Sequence, residues 1–195
     1  ALFDTYVFTM MRAVEHTRHV IESGVTTIRD CGTLNPIVFS IREASKAGLI
    51  TAPHVWASGD VLTSTGGHCY FFGAECAAVD NVRKAVRAQV KAGADFVKVM
   101  ATGGGLTPDT NPREAQFDRE AMIAIVEDSK RLGRYVAAHC HGTPGIYNAI
   151  DAQVRTIEHC SFMVPDGVKY EQEAADGIAE KGIYVCPTIS VGERS

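Results

Sequence analysis

The sequence predicts a β/α protein of parallel strands, an arc of a TIM (β/α)₈ barrel rather than an open doubly wound sheet. Three observations carry this. Short runs that are apolar on both faces alternate with amphipathic stretches, the order that produces a parallel sheet covered by helices. Polar residues gather where successive runs end: Asp30, the loop "TSTGGHCY" (63–70), Lys98, His139 and His159. In a barrel such ends converge on one site, whereas an open sheet spreads them along an edge. Finally, no GxGxxG follows the first strand and no GxxxxGK[ST] occurs, so the nucleotide-binding signatures of open sheets are missing.

The strand runs are "GVTTIRD" (24–30), "HVWASG" (54–59), "DFVKVMAT" (95–102), "YVAAHC" (135–140), "VRTIEHC" (154–160) and "IYVCPTI" (183–189), each rich in Val, Ile, Thr or Tyr. Between them, "NVRKAVRAQVKAG" (81–93) puts Val82, Val86 and Val90 on one helical face. "DREAMIAIVEDSKRLG" (118–133) starts at an Asp118 N-cap and ends at Gly133 after a basic last turn. "GVKYEQEAADGIAEKG" (167–182) is expected to end the same way, at Gly182. No low-complexity tract or linker interrupts residues 1–195, so one partial catalytic barrel domain is expected.

Bulk properties narrow the function. With 195 residues the chain can bury a core of its own. A net charge of −4 argues against nucleic acid or an anionic membrane as partner, and no run approaches the length of a membrane span. "ALFDTYVFTMMR" lacks a basic leader followed by an apolar core. The six cysteines form no CxxC pair and read as buried, reduced thiols, which points to a cytoplasmic protein.

Lys98 poses the sharpest question. Val97-Lys98-Val99 alternation sends the lysine to the face opposite its apolar neighbours, and a buried, unpaired ammonium costs several kcal/mol. Three arrangements relieve that cost. The lysine can pair with an acid, for which Glu158 is the one carboxylate inside a neighbouring run. It can serve as a Schiff-base nucleophile. Or carbon dioxide can convert it to a carbamate, an anion able to bridge two metal ions. Histidines on the next two strands, His139 and His159, favour the carbamate, because imidazole is the commonest neutral ligand of zinc-like metals.

Together "VTTIRDCG", "TSTGGHC", "DFVKVMATGG", "AAHCHG" and "TIEHCS" resemble the amidohydrolase superfamily, and most closely its imidazolonepropionase-like and prolidase-like branch of Xaa-Pro dipeptidases and zinc carboxypeptidases. The resemblance runs from about residue 10 to 190. It implies hydrolysis of an amide or peptide C–N bond, in a dipeptide or an N-acyl amino acid, by metal-activated water, with one or two zinc-like ions and a carbamylated lysine. Carried over, Lys98, His139 and His159 are metal ligands with catalytic roles; His68 faces substrate, and His141 reaches the substrate carboxylate. The superfamily's HxH pair on the first strand and aspartate on the eighth have no match: His16 and His19 are three apart in a helix-like segment, and "ISVGERS" follows the last run. With Ala1 in place of Met, the expectation is six of eight barrel units from a longer enzyme. Open strand edges would then make the chain a homo-oligomer or poorly soluble, and an incomplete site would leave it inactive.

Each site residue also has a plainer reading: a core histidine for His139, a helix cap for His141, a solvated loop for His68. Cys140 and Cys160 alternate to the face opposite the histidines and read as core thiols, and His16, His19 and His54 as structural. "TGGGLTPDTNP" (102–112) reads as a flexible loop whose glycines admit a ligand to the backbone. Two other functions stay open: an aldolase using Lys98 in a Schiff base, and a truncated, non-catalytic scaffold.

Overall fold

The computed structural model describes residues 5–34 and 36–189. After helix α1 (Tyr6–Glu22) come β1 (Thr27–Asp30), α2 (Ile37–Lys46), β2 (His54–Ala57), β3 (Val61–Thr63) and β4 (Gly73–Glu75). Helix α3 (Val79–Ala92), β5 (Val97–Met100), α4 (Arg119–Arg131), β6 (Val136–Gly142) and α5 (Thr143–Asp151) follow. The described chain closes with β7 (Thr156–Val164), β8 (Gly167–Val168), α6 (Gln172–Glu180) and β9 (Tyr184–Cys186). Every predicted strand run is present. The end of the "ISVGERS" segment lies outside the described residues.

β1 pairs with β2, and β3, β5, β6, β7 and β9 pair in that order, all parallel. The two sheets are consecutive stretches of one arc. A break at Gly59 (φ +72°) splits one long run into β2, bonded to β1, and β3, bonded to β5. The Asp95 N–H donates to the Ala57 carbonyl across the break at 2.8 Å, and the Asp95 carboxylate takes Arg42 of α2 at 2.6 Å.

The helices form as their sequences dictate. In α3, Val82 and Val86 are buried, and left-handed Gly93 (φ +109°) ends the helix. The Asp118 side chain accepts the Ala121 N–H at 2.8 Å and starts α4. Buried Asp128 of α4 joins the helix layer by accepting Arg83, Arg87 and Arg131 at 2.8–3.1 Å. Helix α6 is shorter than predicted. Gly167 (φ +133°) turns the chain so that Gly167–Val168 pairs back antiparallel on β7, and the helix begins only at Gln172.

Core and site lie on opposite faces of the arc. Val97, Val99, Ala138 and Ile157 are fully buried against Met122, Ile125 and Ile146 of the helices. Each such aliphatic side chain contributes about 1.5–3 kcal/mol on burial. Cys140 and Cys160 join this core as expected, Cys140 by simple alternation and Cys160 three residues after Ile157, where regular alternation has been broken. The residues between them in the alternation turn the other way, toward the site.

Candidate metal centre

β5 is buried along its whole length, and Lys98 is its one charged residue, 3% exposed. Its amine is 3.4 Å from Met100 Sδ, and no carboxylate among the described residues lies within ion-pair distance. Glu158, the one acid the sequence offered for pairing with Lys98, is engaged elsewhere: it accepts Arg29 Nη2 at 2.8 Å and the Thr156 hydroxyl at 2.7 Å. Burial drives the Lys98 amine below its ordinary value, against Cys31 and Glu158, which pull it upward.

β6 and β7 do not stop at their histidines, as the sequence reading expected. The register runs evenly to Cys140↔His159 and then jumps to Gly142↔Met163, so β7 carries extra residues opposite His141. This is a bulge, and three non-glycine residues absorb it in the left-handed region: His159 (φ +71°), Cys160 (φ +54°) and Phe162 (φ +51°). Each costs roughly 1–2 kcal/mol. Such strain collects at functional sites, and here it turns His159 toward β6. On β6, His139 and His141 are two residues apart and share one face.

The outcome is a cluster. One ligand atom from each of His139, His141 and His159 lies within 4.8 Å of the others. The rings of His141 and His159 stack at 4.5 Å, and His139 meets both edge-on at 4.7 Å. His68 approaches His139 at 4.7 Å between ring centres. These four and Lys98 line one cavity of about 1180 Å³, together with Arg29, Cys31 and Glu158.

Each histidine is tied by one nitrogen. His139 Nε2 lies 2.9 Å from the Gly103 carbonyl, which can only accept, so Nε2 carries the proton and Nδ1 keeps the lone pair. Nδ1 of His68, His141 and His159 meets the hydroxyls of Thr107 (3.1 Å), Ser161 (2.9 Å) and Thr188 (2.6 Å). Gly104 passes so near His68 that a Cβ there would sit 2.5 Å from Nε2, so the loop must be glycine at this point. Burial, then Lys98 and His141, holds His68 down to about 4; burial, then His141 and Lys98, does the same for His159. Burial, then Lys98, also keeps His139 well below its ordinary value and lowers His141. Neutral imidazoles packed this closely are a donor set suited to a divalent ion of the zinc type.

A model of the amidohydrolase family matches residues 8–192. The chain belongs to the amidohydrolase family. It is 34% identical over 198 residues to ochratoxinase of Aspergillus niger, covering 89% of this chain and 39% of that protein. Its structure superposes on a Xaa-Pro dipeptidase with bound methionine in the active site (TM-score 0.89, 32% identity, 97% of this chain, 48% of that one). It also superposes on a prolidase complexed with N-methylphosphonate-L-proline (TM-score 0.86, 28% identity, 96% of this chain, 48% of that one). The chain thus spans less than half the length of these relatives. Its fold is the family's barrel, seen as a partial arc.

All five residues singled out in the sequence reach this one cavity. His141 caps nothing, since Gly142 is the N-cap of α5; it stands inside the histidine cluster. The period-two spacing of "HCH" is the sequence signal for that placement. Sequence reasoning gave no place to Arg29, Thr107, Ser161 or Thr188, whose partners are 127, 39, 20 and 29 residues away.

Proposed function

We propose that residues 1–195 form a partial catalytic barrel domain of a metal-dependent hydrolase that cleaves an amide or peptide C–N bond in a small substrate bearing a carboxylate, such as a dipeptide or an N-acyl amino acid. The observation that carries this is the cluster of His139, His141 and His159 beside a buried Lys98 that has no acidic partner among the described residues. His139 and His159 would hold a zinc-like ion, with Lys98 as a carbamate; His141 lies close enough to join them or to reach substrate. Bound there, such an ion supplies a Lewis acid and a water ionised near neutral pH.

The chain's own residues do the rest. The Gly103 carbonyl and the hydroxyls of Ser161 and Thr188 fix the imidazoles, which lowers the reorganisation needed when a ligand arrives. His68, oriented by Thr107, faces the cavity as a hydrogen-bonding group for substrate. Leu106, Pro112 and Met163 add apolar walls to a cavity that is otherwise lined by Arg29, Lys98, Glu158 and the four histidines. A family named for amide hydrolysis and a relative named as a Xaa-Pro dipeptidase support the reaction class. Six free thiols fit a reducing cytoplasm, and the exposed edges of β1 and β9 fit self-association. No helix among the described residues is long and apolar enough to cross a membrane.

An aldolase needs a second lysine near the first, and the described cavity lining contains none. The test is direct. After reconstitution with zinc in bicarbonate, elemental analysis should find bound metal, and Lys98→Ala should weaken binding while Lys98→Glu partly restores it. A folded chain that takes up no metal would overturn the proposal, and borohydride trapping of Lys98 would favour the aldolase.

A further inference from the structure

His68 stands outside every strand, in the connection between β3 and β4, yet both of its backbone groups are bound by side chains. Its N–H donates to Gln116 Oε1, and its carbonyl accepts the Thr63 hydroxyl at 2.8 Å. The next residue, left-handed Cys69 (φ +60°), gives its N–H to the Thr107 hydroxyl at 2.8 Å. Gln116 does more than accept. Its Nε2 donates to the Met100 carbonyl at 2.8 Å and to Thr63 Oγ1 at 3.3 Å. The two ends of the amide cannot be exchanged, because a backbone N–H only donates and a backbone carbonyl only accepts. Oε1 therefore faces His68, and Nε2 faces Met100.

Gln116 is itself mounted on β5. Its N–H donates to the Ala101 carbonyl at 2.8 Å, and its neighbour Ala115 bridges to Thr102. Since β5 is buried at every residue, the amide carries the frame of a rigid strand into the loop. The loop packs closely on it: a Cβ on Gly67 would lie 2.7 Å from Gln116 Oε1. Met100, which the amide also holds, is the register partner of His139 on β6. One side chain thus joins His68 to the rung that carries His139, and the two imidazole rings stand 4.7 Å apart.

We propose that Gln116 is a positioning residue: its amide bridges the His68 loop to the Met100–His139 rung and so sets the distance between His68 and the histidine cluster. The use made of His68, as a group that meets the substrate, rests on the hydrolase reading above; the bridge itself does not. Gln116 bonds to His68, Met100 and Thr63, and to none of the three clustered histidines. Its loss therefore weakens the hold on a carboxylate-bearing substrate and leaves the uptake of metal nearly as it was.

The test compares Gln116→Met, which keeps the length and removes every hydrogen bond, with Gln116→Glu, which keeps an acceptor for His68 and loses both donors. Each is followed by the nuclear Overhauser contact between the His68 and His139 rings, by zinc affinity, and by affinity for N-acetyl-L-alanine. In Gln116→Met the ring contact should weaken and the affinity for N-acetyl-L-alanine fall about tenfold, with zinc affinity within about threefold of the original. Gln116→Glu should fall between the original and Gln116→Met, and it carries the test alone if Gln116→Met does not fold. An unmoved ring contact in a folded variant, a loss in Gln116→Glu equal to that in Gln116→Met, or a zinc affinity that falls as far as that for N-acetyl-L-alanine overturns the role of Gln116. If the unmodified chain binds no N-acetyl-L-alanine while the ring contact responds as described, the substrate role of His68 falls and its positioning by Gln116 stands.

Discussion

The middle of the arc and its flanks are built differently. β5 is buried at every residue, and the inner halves of β6 and β7 are nearly so. β9 is exposed at every residue, and β1 begins exposed and is nowhere fully buried. Lys98, His139, His141 and His159 all come from the middle. The flanks contribute supports instead: Arg29 from β1, and Thr188 from the segment after β9. A site whose chemistry sits on rigid strands and whose adjusters sit on looser ones can be broken from the middle and tuned from the edges.

The largest effect is expected from the middle. His139→Ala removes the proposed ligand at the centre of the cluster, whose Nδ1 lone pair is left free because Nε2 faces the Gly103 carbonyl. Loss of an outer partner already costs 10–100-fold in metal affinity, so loss of the ligand should exceed about 100-fold. Zinc titration against a competing chelator measures it. An affinity within tenfold of the original would remove His139 from the metal site.

Stability should separate the regions next. Ile157 is fully buried between sheet and helices, whereas Val185, its cross-strand partner on β9, is 42% exposed. Ile157→Ala should lower unfolding free energy by about 2–5 kcal/mol, and Val185→Ala by about 0.5 kcal/mol or less. Urea titrations of both variants test the contrast, and equal losses would mean that the flank is packed by a second copy of the chain.

The strand runs and two of the three central helices were legible because period and capping are local signals. Asp118 and the valines of α3 announce themselves within a turn. The convergence of His68, Lys98, His139 and His159 was legible too, because barrel strands deliver their ends to one place. The bulge in β7 was not: no glycine or proline marks it, and its left-handed residues are His159, Cys160 and Phe162. The Arg29–Glu158 pair was equally hidden, since 129 residues separate its members. Pairing with Glu158 was one of three ways of relieving Lys98, less favoured than the carbamate, and only the three-dimensional arrangement gives Glu158 to Arg29.

Acid should act on the middle before the flanks. His68 and His159 are held at about 4 in the folded chain, below their ordinary 6.5, so the unfolded chain takes up protons first as pH falls. Their contribution to stability is full above about pH 6.5, declines through the window down to about 4, and is lost below it. Asp30 of β1 runs the other way: burial raises its carboxyl, so folding binds that proton more readily. Metal-free chain should therefore show a urea midpoint that falls between pH 6.5 and 4.5. His68→Asn should flatten the decline, and an unchanged slope would mean that His68 is not held neutral by its surroundings.

The smallest effect comes from the flank, and it is the most discriminating. His159 is oriented by the Thr188 hydroxyl at 2.6 Å, a contact made across the weakly packed β7–β9 edge. Thr188→Val keeps the shape and removes the hydrogen bond, so His159 should keep its place but lose its preferred ring orientation. The expected cost is about tenfold in metal affinity, near the low end for an outer partner, with the urea midpoint hardly changed. Thr188→Ser, which restores a hydroxyl, should recover the affinity. A loss in both variants would point to packing rather than hydrogen bonding, and no loss in either would mean that the bulge of β7 alone orients His159.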